Sequence, residues 1–175
     1  LDVLEDCIAE GITVTATVSF TVPQALEIAR RHRLGSLRAR QAGIVPGRCF
    51  AVIMIGRLDD YLREVARDNA AEVSETDIRQ AGLAATKRAY EVYMEEDYEA
   101  VLLVAALRGV HHFSGLAGGK LILSVHPSIQ KLLHDPALPR RAGIADPIEP
   151  QALQRLQQMN EFVRAYEPQG MRPEE

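Results

Sequence analysis

The chain is poor in cysteine, in long hydrophobic runs and in net positive charge, and each shortage narrows what it can be. Its two cysteines, Cys7 and Cys49, are too few for a disulfide framework, and no secretory leader is visible, so we expect a reducing compartment, the cytoplasm. No apolar run approaches the roughly 18 residues that cross a bilayer, so we expect no membrane partner. The net charge of -4 argues against a nucleic-acid partner.

One short stretch runs against the negative overall charge. It contains Arg30, Arg31, His32, Arg33, Arg38 and Arg40, at the end of a predicted helix. Cations suit a helix C-terminus because the helix dipole is negative there. We therefore expect a solvated helix end rather than a binding patch.

The composition is that of a folded domain. With 47% hydrophobic and 25% charged residues, the 175-residue chain can build one core. We assign residues 1–175 to a single domain, in which 135–175 form a C-terminal extension and tail. Leu1, Leu4 and Ile8 already follow a helical pattern with no start signal before it, so we expect the chain to be cut from a longer one.

Apolar runs rich in β-branched residues alternate with helical patterns along the chain. Strands are predicted at 12–20, 49–55, 100–106 and 121–125, and helices at 21–33, 58–69, 74–96, a short stretch through 116–118, 127–133 and 151–166. Continuously apolar strands separated by helices indicate parallel βαβ units with both sheet faces covered. The class is therefore α/β, and periodicity leaves a doubly wound sheet and a barrel equally open.

The first predicted strand carries hydroxyl side chains on one face. Thr13, Thr15, Thr17 and Ser19 alternate with apolar residues, so they share a face if the strand is regular. In a barrel the outer face packs on helices, which would direct the hydroxyls inward, with Thr17 and Ser19 nearest the functional rim. The alternative is that threonine simply favours strands.

Two arginines, Arg57 and Arg108, stand just past predicted strand ends. Loops that follow barrel strands share one face, so the two guanidinium groups could converge on one anion. Arginine suits phosphate because it donates bidentate charge-assisted hydrogen bonds. The alternative is two independent ion pairs with Asp59, Asp60 or a glutamate.

The adjacent pair His111 and His112 raises the question of a metal site. Neighbouring residues on a helix point about 100° apart, and no acidic or cysteine partner lies at ligand spacing along the sequence. We therefore predict no metal and give the pair a packing or rim role.

None of the three lysines is placed as a buried amine nucleophile, which needs a desolvated pocket to lower its pKa. Lys87 lies within a predicted helix beside Arg88, Lys120 lies at a strand start, and Lys131 lies on a predicted helix. We expect all three to be solvated.

Four segments, in this order and spacing, resemble the transaldolase and fructose-6-phosphate aldolase family. They are Glu10–Ile12 with the strand at 13–20, Pro23–Leu26, Ile55–Asp60 and Ala105–Arg108. The resemblance implies a (β/α)8 TIM barrel of the class I aldolase type, of which this chain would hold strands five to eight with their helices.

The resemblance also implies a function. A transaldolase transfers a dihydroxyacetone unit between sugar phosphates in the pentose phosphate pathway, through a lysine Schiff base and without a cofactor. The lysine and the proton-handling acids would lie upstream of Leu1, so this chain alone would be inactive. Thr17 would help to position the catalytic water, and Arg57 and Arg108 would bind phosphate, with Thr15 and Ser19 also at the substrate.

Three positions depart from the family pattern. Thr15 stands where transaldolases often have asparagine, Val52 where a serine lies on the sixth strand, and Ala106 where a serine precedes the second arginine. The alternative function is a non-catalytic half-barrel that self-associates as a homo-oligomer and at most binds sugar phosphates, since four strands alone leave two sheet edges exposed.

Overall fold

The computed structural model describes residues 2–172, which contain eight helices and four strands. Along the chain they are α1 (Asp2–Ala9), β1 (Val14–Ser19), α2 (Val22–Gln41), β2 (Cys49–Met54), α3 (Ile55–Asp68), α4 (Glu75–Glu95), β3 (Val101–Ala105), α5 (Val110–Leu116), β4 (Ile122–Leu123), α6 (Pro127–Leu132), α7 (Pro150–Leu156) and α8 (Asn160–Tyr166). The predicted α/β class and the order of its elements are confirmed. The fourth strand is shorter than predicted, with two residues.

The strands of the described residues form one parallel sheet in the order β1-β2-β3-β4. Ala51 of β2, for example, lies opposite Leu102 of β3. Parallel neighbours need long crossover connections, and helices provide them here. Every strand therefore ends at the same edge of the sheet, where Arg57 and Arg108 follow β2 and β3.

The helices pack on one face of this sheet. Cys49, Ala51 and Ile53 point to that face and are nearly inaccessible, and they belong to the main core together with residues of α1, α2 and α4. Tyr93 of α4 lies deep in this layer, and its hydroxyl donates a 2.7 Å hydrogen bond to the carbonyl of Ala25 in α2.

The other face of the sheet has no helix layer among the described residues. It carries Thr15, Thr17, Phe50, Leu103 and Ile122, which are half-buried or exposed. These residues belong neither to the main core nor to the second, smaller cluster of buried hydrophobic residues. We call this surface the open face. A parallel sheet is normally covered on both faces, so the open face is the most unusual feature of the fold.

Helix α2 is longer than predicted, because it continues past Arg33 to Gln41. Gly35 does not lie in a loop but in mid-helix, where α1 crosses α2. A Cβ atom there would lie 2.5 Å from the carbonyl oxygen of Glu5 and 2.9 Å from Cβ of Ile8. The glycine therefore permits close approach of two helices rather than a turn.

The basic stretch is paired with acidic side chains of neighbouring elements. Each of its five arginines forms an ion pair: Arg30 with Glu27, Arg31 with Asp2, Glu5 and Glu27, Arg33 with Glu96, Arg38 with Glu5 and Asp6, and Arg40 with Glu99. His32 is buried beneath them, and burial lowers its pKa. The stretch is a charge-balanced surface along the second half of α2, whereas the sequence predicted a solvated helix end.

The C-terminal part differs from the single helix predicted at 151–166. Two helices, α7 and α8, are separated by residues 157–159. Arg155 of α7 binds Asp77 of α4, and Phe162 of α8 is fully buried in the main core.

Among the described residues no helix is both long and apolar enough to cross a bilayer. Cys7 and Cys49 are free thiols.

Candidate active site

The ends of β2 and β3 place Arg57 and Arg108 on the same edge of the sheet. The last residues of the two strands, Met54 and Ala105, are register partners, and each arginine follows its strand end by three positions. The two turns also touch, because a Cβ atom at Gly56 would collide with the carbonyl of Ala106 and the side chain of Arg108. Glycine lets the first turn of α3, which follows β2 directly, lie on the turn after β3.

Arg57 is exposed in the first turn of α3. It lines a cavity of about 430 Å³ with Phe20, Thr21 and Gln24 from the β1–α2 turn. Glu161 and Arg164 of α8 also line this cavity. No ion pair within residues 2–172 involves Arg57, so the ion-pair alternative is not found for this arginine. Its guanidinium can meet an anion from solvent.

Arg108 forms an ion pair with Asp60 of α3. Its NH2 atom lies 2.5 Å and its Nε atom 3.1 Å from Oδ2 of Asp60. This contact lowers the pKa of the Asp60 carboxyl below its ordinary value. The ion-pair alternative is thus observed for Arg108. Both partners remain more than one third exposed, so an incoming phosphate can compete for the guanidinium.

The two arginines line different cavities. Arg108 lines one of about 650 Å³ with Ser124, His126 and Ser128 from the turn after β4. They therefore share an edge of the sheet and contiguous turns, but the structure does not bring both to one cavity. Their convergence on a single anion stays a prediction.

A buried polar cluster lies beneath Arg108, and the sequence reasoning missed it. Asp59 is 1% exposed and His112 is fully buried. The backbone N–H of Gly82 donates to Oδ1 of Asp59 over 2.7 Å, and Nε2 of His112 lies 3.0 Å from Oδ2 of Asp59. The backbone N–H of Arg108 donates to Nδ1 of His112 over 3.2 Å. The only sequence signal was the four-residue spacing of Arg108 and His112 across a helix start.

Asp59, His111 and His112 are also the residues that could hold a metal ion, since one ligand atom of each lies within 4.8 Å of the others. The sequence places no acid at ligand spacing from the histidines, but α3 brings Asp59 to them from another part of the chain. The two rings lie 4.1 Å apart, and neither Nε2 atom makes a hydrogen bond of good geometry within the described residues.

The hydrogen bonds at the other ring nitrogens argue against coordination. The guanidinium of Arg79 lies 3.2 Å from Nδ1 of His111, and a backbone N–H faces Nδ1 of His112. Guanidinium and backbone N–H groups only donate, so both Nδ1 atoms accept and both Nε2 atoms carry the proton. A metal would need lone pairs at those Nε2 atoms. Burial also lowers the pKa of His111 to about 4, which keeps its ring neutral.

The first strand corrects the position of Ser19. Its register with β2 shifts between Ala16 and Ser19, and Val18 at the bulge has a φ of 65°. The extra residue reverses the alternation of side chains. Thr15 and Thr17 therefore lie on the open face as predicted, whereas Ser19 is buried on the helix face opposite Ile53. The prediction that Ser19 continues the hydroxyl face is wrong.

One of the three lysines, Lys87, is buried rather than solvated. Lys87 is buried, and its Nζ atom donates to the carbonyls of Gly143 and Asp146 at 2.7 Å and 2.5 Å. Burial lowers its pKa. It lies on the helix side of the sheet and fastens the connector between α6 and α7 (residues 133–149), so the prediction of a solvated Lys87 is wrong. Lys120 and Lys131 are exposed, as predicted.

A model of the Transaldolase/Fructose-6-phosphate aldolase family matches residues 1–172. The chain therefore belongs to this family, and the resemblance noted in the sequence is confirmed. No curated protein matches the chain significantly. The α/β fold with its parallel sheet fits the family, whose members are transaldolases and aldolases. The function is accordingly of the transaldolase or aldolase type, in carbohydrate metabolism.

Proposed function

We propose that residues 1–175 are the second half of a (β/α)8 barrel in a transaldolase-like enzyme of the pentose phosphate pathway. The enzyme transfers a dihydroxyacetone unit from a ketose phosphate to an aldose phosphate. The reactive lysine and the acids that handle protons lie upstream of Leu1. This chain supplies the phosphate site and is inactive alone.

The observation that carries the proposal is the pairing of two strand ends. Met54 and Ala105 are partners, and Arg57 and Arg108 follow them at the same distance along the chain. Barrel enzymes bind phosphate in loops at the carboxyl ends of adjacent strands. Two guanidinium groups in contiguous turns provide charge-assisted donors for the oxygens of one phosphate. Displacing Asp60 from Arg108 would free the second group.

The open face supports the barrel. In a closed barrel this face becomes the interior, where side chains from all strands form packed layers. Phe50, Leu103 and Ile122 would then be covered by the missing strands. Thr17, in the second half of β1, would line the site where a hydroxyl can meet substrate, and Thr15 would lie deeper in the barrel interior.

The chemistry requires an amine that this chain does not present. A lysine amine adds to the ketone of the donor and loses water, and the resulting iminium accepts electrons when the carbon–carbon bond beyond the adjacent carbon breaks. The released aldehyde leaves, the enamine attacks the aldehyde of the acceptor, and water then hydrolyses the product from lysine. We assign the orientation of that water to the hydroxyl of Thr17, and the anchoring of both phosphates to Arg57 and Arg108.

The second candidate is a non-catalytic half-barrel that self-associates and binds sugar phosphates. The open face and the free edges of β1 and β4, within the described residues, favour it. Unpaired edges and an uncovered sheet are relieved when two copies pair. A protein that is complete at 175 residues, dimeric and inactive would establish this candidate.

The test is a transfer assay with the protein expressed from its complete reading frame. Fructose 6-phosphate serves as donor and a second aldose phosphate as acceptor, and the new ketose phosphate is measured by mass spectrometry. Turnover is expected. Binding of fructose 6-phosphate without any transfer or cleavage would reject the enzyme in favour of the half-barrel module.

A further inference from the structure

The turn between β3 and α5, which carries Arg108, lacks the usual means of holding its shape. Ala106 has a φ of 58°, a region that costs a non-glycine residue free energy. Gly109 is the N-cap of α5 and has no side chain that could cap the helix. Another group must therefore fix the conformation of this turn and the orientation of Arg108.

His112 provides that support. It lies in the first turn of α5, and its Nδ1 atom accepts the backbone N–H of Arg108. The contact resembles a capping box, in which a side chain of the first helical turn reaches back to a backbone N–H before the helix. Because Nδ1 accepts, Nε2 carries the proton and faces the carboxylate of Asp59.

The support extends to the rigid part of the fold. Asp59 is fixed in turn by the backbone N–H of Gly82 in α4, the longest helix described. Asp59, His112 and Gly82 together link α3, α4 and α5 beneath the turn. Asp60, the next residue of α3, holds the guanidinium of Arg108 from outside. The main chain and the side chain of one arginine are thus held by separate groups.

We propose that His112 is a positioning residue for Arg108, and that its Nδ1 atom, oriented by Asp59, fixes the backbone from which this arginine reaches the phosphate of the substrate. The inference rests on the proposed role of Arg108 as a phosphate ligand. It predicts that loss of the acceptor at Nδ1 weakens the binding of phosphorylated ligands and leaves the binding of unphosphorylated ligands unchanged.

Two substitutions of His112 distinguish the roles of its two ring nitrogens. In His112→Asn the amide oxygen takes the place of Nδ1 and can still accept the N–H of Arg108. In His112→Gln the amide nitrogen takes the position of Nε2 beside the carboxylate of Asp59, but the acceptor for Arg108 is lost. His111→Gln is the matched control, since His111 contacts Arg79 and not Arg108.

The experiment measures, in the complete protein, KM for fructose 6-phosphate, KM for unphosphorylated fructose, and the Kd of inorganic phosphate by calorimetry. One neutral hydrogen bond corresponds to roughly threefold to tenfold in binding. His112→Gln is expected to raise KM for fructose 6-phosphate and Kd for inorganic phosphate by that factor. KM for unphosphorylated fructose should not change. His112→Asn and His111→Gln should stay close to the wild type.

Equal losses in His112→Asn and His112→Gln, or equal losses for both sugars, would overturn the proposal and leave a packing role for His112. If the wild type turns over no sugar phosphate, the proposed function fails, while the Kd of inorganic phosphate still decides the role of His112; a wild type that binds no phosphate overturns both. Should His112→Gln not fold, the ¹⁵N spectrum of the wild type at pH 7.5 decides, because a proton on Nδ1 of His112 contradicts the geometry.

Discussion

Arg155 of α7 donates two hydrogen bonds to Asp77 of α4, from Nε to Oδ2 over 2.9 Å and from NH2 to Oδ1 over 2.7 Å. Asp77 is 1% exposed and also closes the capping box of α4 with Ser74. One buried carboxylate therefore starts the longest described helix and fastens the C-terminal part of the chain to it. Helix α4 also orients Asp59 through the backbone N–H of Gly82. The ion pair of Arg155 and Asp77 therefore stabilises the helix that supports the candidate site.

Arg155→Ala is expected to lower the free energy of unfolding by about 1.5–3 kcal/mol at pH 7, since it removes two charge-assisted hydrogen bonds to a buried group. Arg155 and Ser74 hold the pKa of Asp77 well below its ordinary value. A lowered folded-state pKa gives stability that is present above the unfolded pKa, about 3.9, and is lost as the pH falls further. The difference between wild type and variant should therefore shrink below about pH 4.

Urea unfolding of the complete protein at pH 7 and pH 3 measures both effects. Arg67→Ala is the control, because within residues 2–172 Arg67 pairs only with Asp68 and both side chains are mostly exposed. It should change stability by less than about 0.5 kcal/mol. An Arg155→Ala loss that is the same at both pH values would show that packing, and not the carboxylate, is responsible.

Gly35→Ala should destabilise the protein, although helix propensity predicts the reverse. Alanine is favoured over glycine in a helix by about 0.8–1 kcal/mol. The added methyl group, however, meets the backbone of Glu5 and the side chain of Ile8 in α1. Overpacking of this kind costs about 1–3 kcal/mol, so the net loss is about 0–2 kcal/mol, and we expect the upper part of that range because the methyl group meets backbone.

Thermal unfolding of the complete protein checks the prediction, with Leu37→Ala on the exposed side of α2 as the control. The control should be nearly neutral. A higher Tm for Gly35→Ala would mean that α1 does not pack on α2 as described.

Lys87→Met should weaken the attachment of the connector before α7 because it removes the donor to two carbonyls, those of Gly143 and Asp146. A buried acceptor left without a partner costs about 1–3 kcal/mol. Hydrogen exchange should accelerate at residues 143–148, while KM for fructose 6-phosphate stays unchanged because Lys87 lies on the helix side. Lys131→Met, at an exposed position, is the control. A large loss of kcat with intact stability would instead give Lys87 a catalytic role.

Arg57→Ala and Arg108→Ala should each raise KM for fructose 6-phosphate by about tenfold to a hundredfold, since each removes a charge-assisted contact worth about 1.5–3 kcal/mol. KM for unphosphorylated fructose should not change. Arg67→Ala, at the other end of α3, is the control. Steady-state kinetics that stay unchanged in either variant would reduce that arginine to a structural role, and for Arg108 this would be its pair with Asp60.

The sequence was sufficient for the features that depend on local pattern. Strand and helix periodicity predicted the α/β class and the order of the elements, and the positions of Arg57 and Arg108 after strand ends placed them on one edge. Thr15 was placed on the correct face because β1 is regular up to Ala16, and Thr17 because the residue with left-handed backbone, Val18, comes after it. A one-residue bulge leaves no mark in the alternation, which is why Ser19 was assigned to the wrong face.

The remaining differences arise from contacts between distant parts of the chain. Gly35 resembles a loop residue until α1 is seen to cross it, and Lys87 resembles a surface lysine until its carbonyl partners arrive from the connector. Asp59 and His112 are far apart in sequence and meet only because the turns after β2 and β3 lie against each other. Such contacts depend on packing, and no local pattern encodes them.

The most direct test of the account is borohydride trapping of the complete protein with fructose 6-phosphate, followed by peptide mapping. Reduction of a Schiff base leaves a stable mass adduct on the reacting lysine. We predict one adduct per protein on a lysine outside residues 1–175, with Lys87, Lys120 and Lys131 unmodified and the 175-residue chain alone giving no adduct. A stoichiometric adduct on one of these three lysines, or none on the complete protein, would contradict the account.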